Sequence, residues 1–172
     1  MTCIVAMERK GSVWLGSDSF LGHDDHRDAM DRPKWFSRGD MTFGYAGSFR
    51  GAQVVERFAQ FRRRHRNEGE THYMMYVAEA VRKTYVASDV KLKSRSDFVV
   101  IYAGKVYVLQ DDFSILRSDY GYAAIGAGAS FAYGALAALQ ERLEPAQAVR
   151  KALEVAARHC PQVGSPFHVI KL

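Results

Sequence analysis

Residues 2–18, TCIVAMERKGSVWLGSD, decide how the whole chain is to be read. Two runs, 3–10 and 13–20, read as strands joined at Gly11-Ser12, a hairpin-type turn. Thr2 stands at the head of the first run. If Met1 is removed, Thr2 carries a free α-amine with an unperturbed pKa of roughly 7.7–8.0, well placed to act as a general base. A threonine hydroxyl is a poor nucleophile until a neighbouring group takes its proton, and here that group would lie in the same residue. Cys3 as the nucleophile would need one further cut.

Working outward, KWFSRGDMTFGYAG holds two more short runs split by Arg38-Gly39-Asp40, and the stretch before it, GHDDHRDAMDRP, reads as a polar loop. Two helices follow. GAQVVERFAQFRRR brings Val54, Val55, Phe58 and Phe61 to near-helical spacing, and HYMMYVAEAVRKTYV places Tyr73, Val77, Val81 and Tyr85 at i, i+4, i+8 and i+12. DFVVIYAG, KVYVLQ, SILRSD and YAAIGAG return to strand character. SFAYGALAALQERL and EPAQAVRKALEVAARH are helical, with Pro145 placed to start the second, and PFHVIKL is a last strand. The order is strands, two helices, strands, two helices, strand. Paired helices do not fit a simple βαβ winding. They predict an α+β fold in four layers: two stacked antiparallel sheets, each covered by a helix pair, in a single domain over 1–172.

Composition sets the function classes. The chain has 172 residues, 48% hydrophobic and 25% charged, with a net charge of +5. No apolar run approaches the ~20 residues that span a bilayer, and Glu8, Arg9 and Lys10 interrupt any secretory h-region. The cytoplasm is the expected compartment, with no membrane partner. Cys3 and Cys160 form neither a disulfide framework nor a metal site and read as small buried hydrophobes. His23, Asp24, Asp25, His26 and Asp28 are acidic and imidazole-rich without a ligand spacing, so they read as solvated loop, and no metal or cofactor is expected. The densest basic run, Arg62–Arg66, falls at the end of a predicted helix, where cations complement the dipole. Nucleic-acid binding there is disfavoured, and a protein-docking surface is the alternative.

The strand and helix order, with TCIVAMERKGSVWLGSDS, FGYAGSFRGA, AIGAGASFAYGAL and FHVIKL, resembles the N-terminal-nucleophile hydrolases, most of all proteasome β subunits and the HslV peptidase. The family has an Asp sixteen and a Lys thirty-two positions after its N-terminal Thr, and Thr2, Asp18 and Lys34 reproduce both intervals. The resemblance implies a threonine peptidase acting on peptides or unfolded proteins. Thr2 would be the nucleophile, Lys34 the cation beside it and Asp18 the partner that keeps Lys34 charged. Gly47 would donate its N–H to the oxyanion. The specificity pocket would correspond to Leu21, Arg32, Phe36, Tyr45 and Phe49, giving either an apolar preference or, if Tyr45 fills the pocket, a small one. Stacked homo-oligomeric rings are implied, and an ATP-driven unfoldase ring would be a separate chain, since no GxxxxGK[ST] occurs here. Two departures stand out. Gly126-Ala127-Gly128 lacks the family's Ser, with Ser130 just beyond, and no Asp follows Asp119, leaving Ser165 as the hydroxyl before the last strand. A catalytically inactive ring subunit of the same fold is the competing reading.

Overall fold

The computed structural model describes residues 2–23, 26–91 and 95–172. Strands β1 (Cys3–Arg9) and β2 (Ser12–Ser17) pair antiparallel. The turn falls on Lys10-Gly11, one residue earlier than expected; both have positive φ, as a two-residue hairpin turn demands. The later strands are β3 (Phe20–His23), β4 (His26–Ala29), β5 (Trp35–Arg38), β6 (Met41–Gly47), β7 (Ser96–Tyr102), β8 (Lys105–Leu109), β9 (Ile115–Arg117), β10 (Tyr122–Gly126) and β11 (His168–Lys171). The helices are α1 (Phe49–Phe58), α2 (Glu70–Ala87), α3 (Ala129–Leu139) and α4 (Pro145–His159). One sheet runs β10-β1-β2-β11 and the other β5-β6-β7-β8-β9, with β3-β4 as a separate ribbon.

Strand alternation sorts the side chains into layers. On β1, Cys3, Val5 and Met7 face α3 and α4, while Ile4 and Ala6 face the other sheet. On β7, Phe98, Val100 and Tyr102 face α1 and α2, while Val99 and Ile101 point inward between the sheets. Three buried apolar layers result, and the architecture is the α+β, four-layer sandwich that the element order predicts. Each fully buried large side chain contributes about 1.5–3 kcal/mol. Tyr73, Val77, Val81 and Tyr85 are all buried, as their spacing requires. Pro145 opens α4 at its first turn. Both cysteines are buried and unbridged.

Two expectations need correction. GHDDHRDAMDRP is not wholly loop, because it supplies the end of β3 and all of β4. Asp24 and Asp25 of the acidic run lie outside the described residues, as do Met1 and residues 92–94. Second, α1 stops at Phe58, and Ala59 is extended (φ −64°, ψ 135°), so Arg62–Arg66 is not a helix end. Tertiary bonds replace the helical ones: Arg38 Nε donates to the Ala59 carbonyl (3.1 Å), and Arg62 N donates to Tyr76 Oη (3.1 Å). The Tyr73 hydroxyl donates to the Arg62 carbonyl (2.7 Å), and Phe61 stacks on Phe43 with ring centroids 5.4 Å apart. No helix among the described residues is long and apolar enough to cross a membrane.

Close packing of α4 on the first sheet depends on Gly16. A Cβ there would lie 2.5 Å from Val149 Cγ1 and 3.0 Å from Leu153 Cδ1. Gly16→Ala is expected to cost about 1–3 kcal/mol in denaturant unfolding, because the β-branched Val149 cannot swing aside.

Candidate active site

Asp18 lies just past the end of β2, and its backbone N donates to the Cys3 carbonyl (3.2 Å). Its carboxylate is fully buried and accepts four N–H groups among the described residues. Oδ1 takes Cys3 N and Lys34 Nζ, each at 2.9 Å; Oδ2 takes Phe20 N (3.1 Å) and Gly164 N (3.4 Å). Lys34, just before β5, is equally buried. Its Nζ also donates to the Phe20 carbonyl (2.8 Å), its backbone N to Ser17 Oγ (3.3 Å), and its carbonyl accepts from Tyr45 N (3.0 Å). Both ends of this lysine are therefore fixed.

A buried ammonium needs a counter-charge, since an isolated one loses its proton instead. Burial pushes the Lys34 amine below its ordinary 10.5, and the Asp18 charge and hydrogen bond oppose that shift. The pair reaches Thr2 through one atom. Asp18 Oδ1 holds Lys34 Nζ on one side and, on the other, the amide that joins Thr2 to Cys3.

Thr2 is 2% exposed, and its carbonyl accepts from Gly128 N (3.4 Å). Gly126, at φ +92°, closes over it: a Cβ there would sit 2.3 Å from the Thr2 carbonyl oxygen and 3.1 Å from Ala46 Cβ. Thr2, the end of β10 and the end of β6 thus meet at one point. Gly47 follows Ala46, is exposed and has φ +106°, with the Arg95 carbonyl 3.1 Å from where a Cβ would be. Conformation and space both require glycine there. Ser48 then caps α1, its Oγ accepting from Gly51 N (3.2 Å).

Ala127 is exposed between two glycines, and Ser130 is exposed in the first turn of α3. Burial, with the Asp18 charge adding to it, pushes the Cys3 thiol well above its usual range, so this residue is a packed thiol and not a thiolate. Phe36 and Tyr45 are each 7% exposed and belong to the core beneath α1 and α2. Phe36 stacks on Phe43 (5.3 Å) and lies 6.3 Å from Tyr45, which meets Phe49 edge-on at 6.0 Å. Burial raises the Tyr45 hydroxyl pKa, and the exposed Arg32 opposes the rise, so Arg32 sits within electrostatic reach of this aromatic chain. Leu21 is half-buried on the β3-β4 ribbon. Gly164 was not singled out by the sequence: its contribution is a backbone N–H, which no residue pattern signals.

The chain has the fold of the proteasome-type N-terminal-nucleophile hydrolases, and Asp18 and Lys34 meet beside the amide that follows Thr2. It is HslV-like along nearly its whole length. It is 25% identical over 177 residues to the ATP-dependent protease subunit HslV of Caldicellulosiruptor saccharolyticus, covering 99% of this chain and 98% of the relative. Among solved structures, Thiobacillus denitrificans BPH in complex with epoxomicin superposes with a TM-score of 0.84 at 14% identity, covering 99% of this chain and 97% of that one. HslV from Trypanosoma brucei gives 0.75 at 18% identity, with 99% and 98% covered. No family model matches the chain.

Lys34→Met leaves Asp18 buried without its counter-charge and is expected to cost about 3–5 kcal/mol in urea unfolding. Combining it with Asp18→Asn should cost less than the two single losses added. The unfolded chain holds the Lys34 proton up to 10.5, whereas the folded chain releases it sooner. Stability conferred through this group therefore rises with pH across the window between the lowered folded value and 10.5. Unfolding free energies of the wild type minus those of Lys34→Met, measured against pH, should show that rise.

Proposed function

We propose that this chain is a threonine-type endopeptidase subunit of a self-compartmentalising ring. The observation that carries the reading is the shared oxygen, Asp18 Oδ1, which joins Lys34 Nζ to the amide following Thr2. The reading requires Thr2 to bear a free α-amine, and hence loss of Met1. That amine takes the proton of Thr2 Oγ as Oγ bonds to the substrate carbonyl carbon. Lys34, as an ammonium held by Asp18, steadies the developing negative oxygen of the nucleophile, and the Gly47 N–H donates to the carbonyl oxygen as it becomes an oxyanion. One such donor is worth roughly 10²–10³ in rate. As the tetrahedral species collapses, the C–N bond breaks and the α-amine passes its proton to the leaving amine. Water, deprotonated by the same amine, then hydrolyses the Thr2 ester and restores the hydroxyl. No cofactor takes part.

Phe36, Tyr45 and Phe49 would form the wall of the specificity pocket, with Arg32 and Leu21 at its rim. Since Tyr45 and Phe36 already fill much of that space, small apolar side chains are the expected substrates. Support for self-assembly comes from α3, which leaves Phe131, Tyr133, Gly134 and Ala137 exposed. Stacked rings would keep the active sites from folded cytoplasmic proteins. A separate ATP-driven unfoldase would dock through Arg62–Arg66. There Arg62 and Arg64 are tied to Glu68 and Glu70, at 2.6 Å and 3.5 Å, while Arg63 and Arg66 are exposed.

Intact-mass measurement of the purified chain should show Met1 absent. A short fluorogenic peptide should then be cleaved, with Thr2→Ala lowering turnover by at least about 10³-fold. Equal turnover by the two proteins, or a uniformly retained Met1, would contradict the assignment and leave the inactive subunit as the reading. Arg63→Glu with Arg66→Glu should weaken unfoldase-dependent degradation while cleavage of the short peptide stays unchanged.

A further inference from the structure

The segment joining α4 to β11, residues 160–167, contains no acidic side chain, yet it reaches the buried ion pair. Gly164 does this with its backbone alone. Its N–H donates to Asp18 Oδ2 (3.4 Å), and its carbonyl accepts from Ser19 N (3.1 Å). The segment is anchored beside that contact. Val163 is 1% exposed, donates its N–H to the Cys160 carbonyl (3.1 Å) and packs against Gly128. The Phe20 ring covers Gly164 so closely that a Cβ would lie 3.3 Å from Phe20 Cδ2. Ser165, in contrast, is exposed.

The two carboxylate oxygens of Asp18 thus have different tasks. Oδ1 faces Lys34 and the Thr2–Cys3 amide, while Oδ2 is held from behind by Phe20 N and Gly164 N. The terminal torsion of an Asp is broad, so a single donor on Oδ2 would leave the carboxylate free to turn. Phe20 is only two residues from Asp18 and moves with it. Gly164 is 146 residues away in sequence and supplies an independent reference point. We propose that Gly164 is a positioning residue, whose backbone N–H fixes the plane of the Asp18 carboxylate and so aims the Lys34 ammonium at Thr2. The inference rests on the catalytic reading above for its consequence in turnover, but not for the positioning itself.

Gly164→Pro removes the N–H. Gly164→Ala, made together with Phe20→Leu to open space, keeps it. In the assembled wild-type and variant proteins, Gly164→Pro is expected to lower kcat about 10²-fold, the scale of an ångström-size misplacement, with KM within about twofold. The Gly164→Ala/Phe20→Leu protein should match Phe20→Leu alone, and Ser165→Ala should match the wild type. In an Asp18→Asn background, Gly164→Pro should add little further loss. Nitrogen-15 titration of Lys34 Nζ reads the positioning without turnover: its midpoint should move in Gly164→Pro and stay in Gly164→Ala/Phe20→Leu. An unmoved midpoint in folded Gly164→Pro, or a loss in Ser165→Ala equal to that of Gly164→Pro, would overturn the proposal. If the wild type cleaves no peptide, the peptidase reading fails, and the titration alone decides the role of Gly164. If Gly164→Pro does not fold, the Gly164 amide proton resonance is compared between wild type and Asp18→Asn: a shift supports the contact and an unchanged resonance overturns it.

Discussion

The buried ion pair between Asp18 and Lys34 is the constraint on which the rest of this site depends. Desolvating two charges costs several kcal/mol per ion, and a single contact at 2.9 Å does not offset that without further hydrogen bonds. The fold supplies them to the two charged groups from three places: the start of β1, the start of β3 and the segment before β11. A pair so expensive to bury adds little to stability compared with apolar residues of the same size. What it does provide is a cation with one permitted position, next to the residue that opens β1.

Much of the architecture could be read from residue periodicity, because the layers are built from it. The alternation of Cys3, Ile4, Val5, Ala6 and Met7 between two faces is visible in the bare sequence, and so is the i, i+4 stripe of Tyr73, Val77, Val81 and Tyr85. What escaped is tertiary. Phe58 ends α1 although the apolar spacing continues to Phe61, because Arg38 and Tyr76 take up the backbone groups that another helical turn would have used. The end of β3 and the whole of β4 lie in a polar stretch without alternation, which gives no strand signal.

The site was legible to a different degree. Three residues at fixed intervals pointed to Thr2, Asp18 and Lys34 as a group, but no interval says that one carboxylate oxygen serves both neighbours. The expected pocket residues Phe36 and Tyr45 turn out to be largely core, because the same aromatic run that would line a pocket also fills the layer under α1 and α2. Gly164 was invisible, since a backbone donor leaves no trace in residue type. Solved structures at 14% and 18% identity share this architecture. The layered alternation thus survives where most individual side chains differ.

Catalysis by Thr2 requires a charged Lys34 beside an uncharged terminal amine. Neutron diffraction from crystals of the mature protein at neutral pH locates those hydrogens directly. Three deuterons on Lys34 Nζ, none on the Asp18 carboxylate, and two on the α-nitrogen of Thr2 are the expected result. Two deuterons on Lys34 with one on Asp18, or a Lys34 Nζ turned away from Thr2 Oγ, would contradict it.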